Sequence, residues 1–250
     1  MKTLRLVEKE GILYVFLSRP PVNILNREMM EEIRQVLRNE QHRKVVAFAG
    51  DGKLFSAGAD VKEHLPEFVE EMLDSFLKLF LDLLAFPGLT SALVHNGAYG
   101  GGCEFALSTD LVLAEKTARF SQPEIRLAVF PPIAVALYPF FFPGKSCVPF
   151  ILSGKEMTGE ELFRLGVVNY CYDAEEFWAK AHQELRQYLT LSGAVLRITK
   201  KALRESLYPD FRQRLEQFHR LYLEELMKTE DVVEGLRAFL EKRSPVWKDK

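Results

Sequence analysis

Between residues 12 and 114 the chain alternates two kinds of apolar pattern, and that alternation limits the fold more than any other feature. Ile12 to Leu17 is a short β-favouring run bounded by Gly11 and Pro20-Pro21. Residues 28–38 then carry Met29, Ile33, Val36 and Leu37 at helical spacing. Val45 to Ala49 reads as a second strand, closed by the Gly50-Asp51-Gly52 turn. Residues 67–86 form a long amphipathic helix pattern stopped by Pro87-Gly88. Thr90 to Val94 is a third strand, residues 102–108 a helix, and Leu111 to Ala114 a fourth strand. Strands alternating with helices predict βαβ units around a buried sheet, an α/β fold.

Past about residue 145 the character changes. Residues 158–165, 174–190, 194–207, 209–228 and 230–242 read as helix, and only Val167 to Tyr172 is strand-like. The division expected is an α/β core over 1–190 and a C-terminal helical region over 191–250 serving as lid or oligomerisation element. Residues 127–144 carry no charge but hold Pro131, Pro132, Pro139 and Pro143. Four prolines oppose one regular helix and a membrane span, which leaves a buried pocket wall or a subunit interface.

The net charge of −2 leaves no electrostatic footprint for nucleic acid. Three widely spaced cysteines, Cys103, Cys147 and Cys171, form neither a disulfide framework nor a zinc pattern. They fit a reducing, cytoplasmic setting, and the N-terminus lacks the apolar core of a signal peptide. No His, Cys or Asp cluster has ligand spacing, so no metal is expected.

The chemistry-bearing residues cluster in two loops. Gly100-Gly101-Gly102-Cys103-Glu104 follows a strand and opens a helix, where backbone N–H groups have no intrahelical partner. Gly101 is placed to donate to an oxygen gaining negative charge; a ligand-free glycine turn is the alternative. Phe55-Ser56-Ala57-Gly58-Ala59-Asp60-Val61-Lys62-Glu63 offers a second donor at Ala59, with Asp60 and Glu63 reading as a capping box. Glu104 either complements its own helix dipole or works as an acid or base. Glu124 lies twenty residues on (124 − 104 = 20), amid Phe120, Ile125, Leu127, Val129 and Phe130, company that raises a carboxyl pKa. Two carboxyl groups sharing an apolar site supply an acid and a base without a metal. His95, at a strand end, reads as structural, and Arg19 and Lys62 as cations that either meet phosphates or are simply solvated.

Together these segments resemble the enoyl-CoA hydratase/isomerase (crotonase) superfamily. The loops around Ala59 and Gly101 look like its two oxyanion-hole segments, and Phe120-Ser121-Gln122-Pro123-Glu124 like the segment carrying its second glutamate. Ser153 to Gly159 with Leu165-Gly166-Val167-Val168 resembles a further signature. The resemblance implies a crotonase-like (ClpP/crotonase) spiral of ββα units, and trimers or dimers of trimers. It also implies an acyl-CoA thioester substrate and no cofactor, coenzyme A being part of the substrate. By the same resemblance, Ala59 and Gly101 hold the thioester oxygen, Ala57 and Val61 lie near adenine, Lys62 near CoA phosphates, and Glu104 and Glu124 handle water. Keeping both acids favours a hydratase over an isomerase or a non-catalytic acyl-CoA-binding protein.

A narrower likeness, through Val61 to Pro66, Gln122 to Phe130, Tyr222 to Met227 and Glu234 to Ser244, is to cyclohexa-1,5-dienecarbonyl-CoA hydratases. Those enzymes act in anaerobic benzoyl-CoA degradation, and the product implied is 6-hydroxycyclohex-1-ene-1-carbonyl-CoA. The chain departs from fatty-acyl hydratases after Glu124, where Pro131-Pro132 replaces a glycine whose N–H lies near the catalytic water. With Phe140-Phe141-Phe142 following, that segment is expected to close the pocket around a ring.

Overall fold

A computed structural model describes all 250 residues. Strands β1 (Leu4–Lys9), β2 (Ile12–Leu17) and β3 (Val45–Gly50) enclose helix α1 (Arg27–Asn39), and β4 (Leu89–Val94) follows helix α2 (Val69–Ala85). Next come β5 (Gly97–Tyr99), α3 (Gly101–Leu107), β6 (Leu111–Glu115), β7 (Arg119–Ser121), α4 (Pro132–Phe141) and α5 (Cys147–Ser153). The rest of the chain adds β8 (Met157–Thr158), α6 (Gly159–Arg164), β9 (Tyr170–Tyr172), α7 (Ala174–Leu189), α8 (Gly193–Leu207), α9 (Phe211–Glu224) and α10 (Glu230–Leu240).

The main sheet runs β1-β2-β3-β4-β6-β9; β1 pairs antiparallel with β2, and every other neighbour is parallel. Strands β3 and β4 are buried at all six positions because helices cover both faces, which is why they read as unbroken apolar runs. A second sheet, β5-β7-β8, stands beside the glycine run. Its strands of two or three residues are too short to leave a periodic signal. Strand β1 was not legible either: only Leu4 of its six residues is buried, so no alternation shows.

One face of the sheet packs Val15, Leu17, Val46 and Phe48 against α1, α2 and α3; the other packs Ile12, Val45, Ala47 and Leu93 against Phe177, Ala181 and Leu185 of α7. Helix α1 starts at Asn26, whose side chain accepts from the Met29 N–H (3.1 Å) and lets Met29, Ile33, Val36 and Leu37 turn inward.

The proline-rich stretch is not one helix. A short 3-10 turn over Pro123–Leu127 ends at Ala128 in the left-handed region (φ 58°), and α4 begins with Pro132 at its first position, where a missing N–H is harmless. Pro139 sits inside α4. Helix α4 buries Ile133, Ala134, Ala136, Leu137 and Tyr138, so the segment is a buried wall. Helix α9 lies against α4 and α2, and α10 against the 3-10 turns at 61–64 and 123–127. Helices α9 and α10 of this chain therefore close over its own core. No helix is long and apolar enough to cross a membrane.

Candidate active site

A cavity of about 400 Å³ lies where the two loops, α4, α9 and α10 meet. Ala57, Ala59, Val61, Gly101, Glu104 and Glu124 all line it. Lys62 is exposed on the neighbouring turn and is not part of the wall.

The loop carrying Ala59 is pinned on every side. Ala57 N–H donates to Val22 O (2.8 Å), Leu25 N–H to Gly58 O (2.9 Å) and Tyr99 N–H to Ser56 O (2.9 Å), while Ser56 Oγ donates to Asn23 O (2.7 Å). Ala59 N–H and Gly101 N–H have no acceptor in the protein. They stand side by side: a Cβ added to Gly101 would lie 3.3 Å from the Ala59 nitrogen. Two fixed, unpartnered donors opening on one cavity have the arrangement that holding a developing oxyanion requires.

Gly58 allows the approach. Its φ of +100° favours glycine, and a side chain there would meet Tyr99 O at 2.8 Å and Gly101 N at 3.3 Å. The capping box expected of Asp60 and Glu63 does not form. Asp60 accepts from Lys62 N–H (3.1 Å), but the turn at 61–64 is 3-10, and Glu63 swings to Arg27 (3.6 Å) instead of back to Asp60.

Glu104 is buried at the floor of the cavity. It does not serve its own helix. Its Oε1 accepts from Ile133 N–H and Ala134 N–H, both at 2.9 Å, and so caps the N-terminus of α4. The prolines that remove donors at 131 and 132 leave the next two N–H groups to hold this carboxylate. Burial nevertheless pushes its pKa up to about 8, against the pull of those two bonds.

Glu124 is raised well above the ordinary carboxyl range, by burial first and then by the negative field of Glu104. No pair of backbone donors comparable to that on Glu104 holds it, and two carboxyl groups sharing such a site do not readily both ionise. The Gln122 amide is assigned the orientation in which its oxygen accepts from Tyr138 Oη (2.6 Å) and its nitrogen donates to Glu124 Oε2 and Oε1 (3.1 and 3.3 Å). Two carboxyl groups in unlike surroundings thus face one cavity beside two free N–H groups, an arrangement that suits adding the elements of water across an activated double bond.

The remaining walls could not be read from local pattern. Tyr222 of α9, Gly235, Ala238 and Phe239 of α10, and Arg243 and Pro245 beyond it come from the C-terminal region. Arg243 holds Glu234 through two bonds (2.5 and 2.8 Å), and Val246 N–H donates to Glu234 Oε1 (2.8 Å), which straps the tail along α10. His64 donates from Nδ1 to Asp60 O (3.0 Å), and burial lowers its pKa, so it enters the wall neutral.

The Phe140-Phe141-Phe142 run does not close the cavity. It lies at the far end of α4, about 12 Å from Pro132 at the rise of an α-helix. There Phe141 and Phe142 pack on Tyr138 and Phe142 on Phe150, while Phe140 meets Tyr208. Met72, Leu73, Phe76, Val129 and Phe130 take the place expected for it. His95 lies outside the cavity against Trp178, with Nε2 3.2 Å from Gly52 O, and Arg19 donates to Ile24 O (3.4 Å). No three His, Cys, Asp or Glu side chains converge to hold a metal ion.

The family described as enoyl-CoA hydratase/isomerase matches residues 7–250. A cyclohexa-1,5-dienecarbonyl-CoA hydratase of Thauera aromatica is 36% identical over 98% of this chain and 96% of its own. A 2,3-dehydroadipyl-CoA hydratase of Escherichia coli is 31% identical over 99% of both. A probable enoyl-CoA hydratase of Mycobacterium tuberculosis is 31% identical over 92% of both. The crystal structure of an enoyl-CoA hydratase from Mycobacterium avium subsp. paratuberculosis superposes with a TM-score of 0.88 at 25% identity, covering 99% of each chain.

Proposed function

The chain belongs to the enoyl-CoA hydratase/isomerase family, with its crotonase fold and hydratase chemistry, and we propose that its substrate is cyclohexa-1,5-diene-1-carbonyl-CoA. The observation that carries this reading is the 36% identity over nearly the whole chain to the Thauera aromatica hydratase of that name, against 31% to the E. coli and M. tuberculosis hydratases. The cavity supports it, being walled by rings and branched side chains at Phe76, Val129, Phe130 and Tyr222.

In this reading the thioester oxygen sits between the Ala59 and Gly101 N–H groups. Glu104 takes a proton from water as its oxygen joins the ring carbon β to the thioester. Electrons move through the conjugated system to the oxyanion. The proton of Glu124 then joins the far end of the second double bond, and the remaining double bond shifts into conjugation to give 6-hydroxycyclohex-1-ene-1-carbonyl-CoA. One water is consumed and no redox partner is needed.

The test is a thioester panel. Cyclohexa-1,5-diene-1-carbonyl-CoA, crotonyl-CoA and 2,3-dehydroadipyl-CoA are each assayed for hydroxylated product. The cyclic dienoyl thioester is expected to give the highest kcat/KM, by about tenfold or more, the scale of one or two well-fitted apolar contacts. A linear thioester turned over as well or better would overturn the ring assignment.

A further inference from the structure

We propose that Tyr222 is a further catalytic residue, whose hydroxyl donates a hydrogen bond to the oxygen added to the substrate. Its side chain is 1% exposed, its ring packs on Phe130 at 5.1 Å, and it lines the cavity. Its hydroxyl has no hydrogen-bond partner in the protein. A buried O–H without an acceptor is unfavourable by about 1–3 kcal/mol, so a position that keeps one points to an acceptor arriving with the ligand.

The other donors near the two carboxyl groups are already engaged. Ile133 and Ala134 N–H hold Glu104, the Gln122 amide serves Glu124, and Gly100 N–H donates to Ser121 O (3.0 Å). Pro131 and Pro132 have no N–H to give. Ala59 and Gly101 are committed to the thioester oxygen. A water that gives one hydrogen to Glu104 and one lone pair to carbon still needs a donor for its second lone pair. Tyr222 supplies it. Burial, with the fields of Glu124 and Glu104 added to it, raises the Tyr222 pKa well above its ordinary value, so the phenol stays protonated and serves as donor.

The inference rests on Glu104 and Glu124 as the water-handling pair, and not on the ring as substrate. Tyr222→Phe is therefore assayed with whichever thioester of the panel the unmodified enzyme hydrates fastest, so a failed ring assignment leaves this test intact. The expected result is a kcat lower by about 10- to 100-fold, the effect of a loosely oriented nucleophile, with KM within about twofold. The inhibition constant of the hydroxylated product is expected to rise about three- to tenfold, the worth of one hydrogen bond. That of the saturated thioester, which lacks the hydroxyl, stays within about twofold. An unchanged kcat overturns the assignment. So does a parallel rise in both inhibition constants, or loss of folding, since either would give the hydroxyl a structural partner.

Discussion

Replacing Glu104 by Gln is expected to make the protein more stable while removing its activity. The carboxyl pKa rises from an ordinary 4.5 to about 8 on folding, a shift that already includes the two bonds from Ile133 and Ala134. Its sign decides the outcome. An acid whose folded pKa is raised contributes stability fully below pH 4.5, and that contribution is lost as pH climbs through about 8. At pH 8 the folded enzyme therefore carries a buried charge that the unfolded chain would carry in water. Glutamine has the same shape, keeps an oxygen for both N–H groups, and has no charge to bury. On the order of 2–4 kcal/mol is involved, the lower end allowing for the proton shared with Glu124.

The assay is urea unfolding of both proteins at pH 5.5 and pH 8, with hydration measured in parallel. The variant should be more stable by about 1–1.5 kcal/mol at pH 5.5, where the unfolded carboxyl is already mostly ionised, and by more at pH 8. Its kcat should fall by about 10²–10⁴, the usual contribution of a general base. A wild type as stable as the variant at pH 8, or a difference that does not change with pH, would refute the reasoning. Glu104→Ala provides the contrast: it abandons two buried N–H groups at about 1–3 kcal/mol each, and should be destabilised at both pH values.

Gly101→Ala places a methyl 3.3 Å from the Ala59 nitrogen and 3.1 Å from Phe76, where the thioester oxygen would sit. Its kcat should fall about 10²–10³-fold, as for loss of an oxyanion donor, and steady-state kinetics with unchanged activity would count against the hole. Asp110→Asn, far from the cavity, removes the partner of buried Lys200 (2.5 Å). Denaturant unfolding should show a loss of about 3–5 kcal/mol, with kcat per folded molecule retained; a loss below about 1 kcal/mol would mean Lys200 is held well enough by Gly88 O.

The alternation of strands and helices was legible because each helix from α1 to α3 turns an apolar face to a sheet buried on both sides, and burial imposes a period on residue choice. The edge strand β1 and the small sheet beside Tyr99 escaped it, being mostly exposed or too short to show a period. Glu104, Ala59 and Gly101 stood out through the glycine-rich, strand-to-helix context around them, and Glu124 through its apolar neighbours and the family resemblance; the structure brings all four to one cavity. Glu63 misled because its partner, Arg27, is distant in sequence, and the phenylalanine run misled because its position along α4 decides what it touches.

By itself, then, the sequence determined which elements form and which loops carry the donors and the acids, since those depend on local propensity and backbone freedom. Only the tertiary structure decided what surrounds the acids. Docking α4 against α3 puts two N–H groups on Glu104, and docking α9 brings an unpartnered Tyr222 hydroxyl to the same cavity. The first brings together residues about 30 positions apart and the second residues more than 100 apart, beyond the reach of any local pattern.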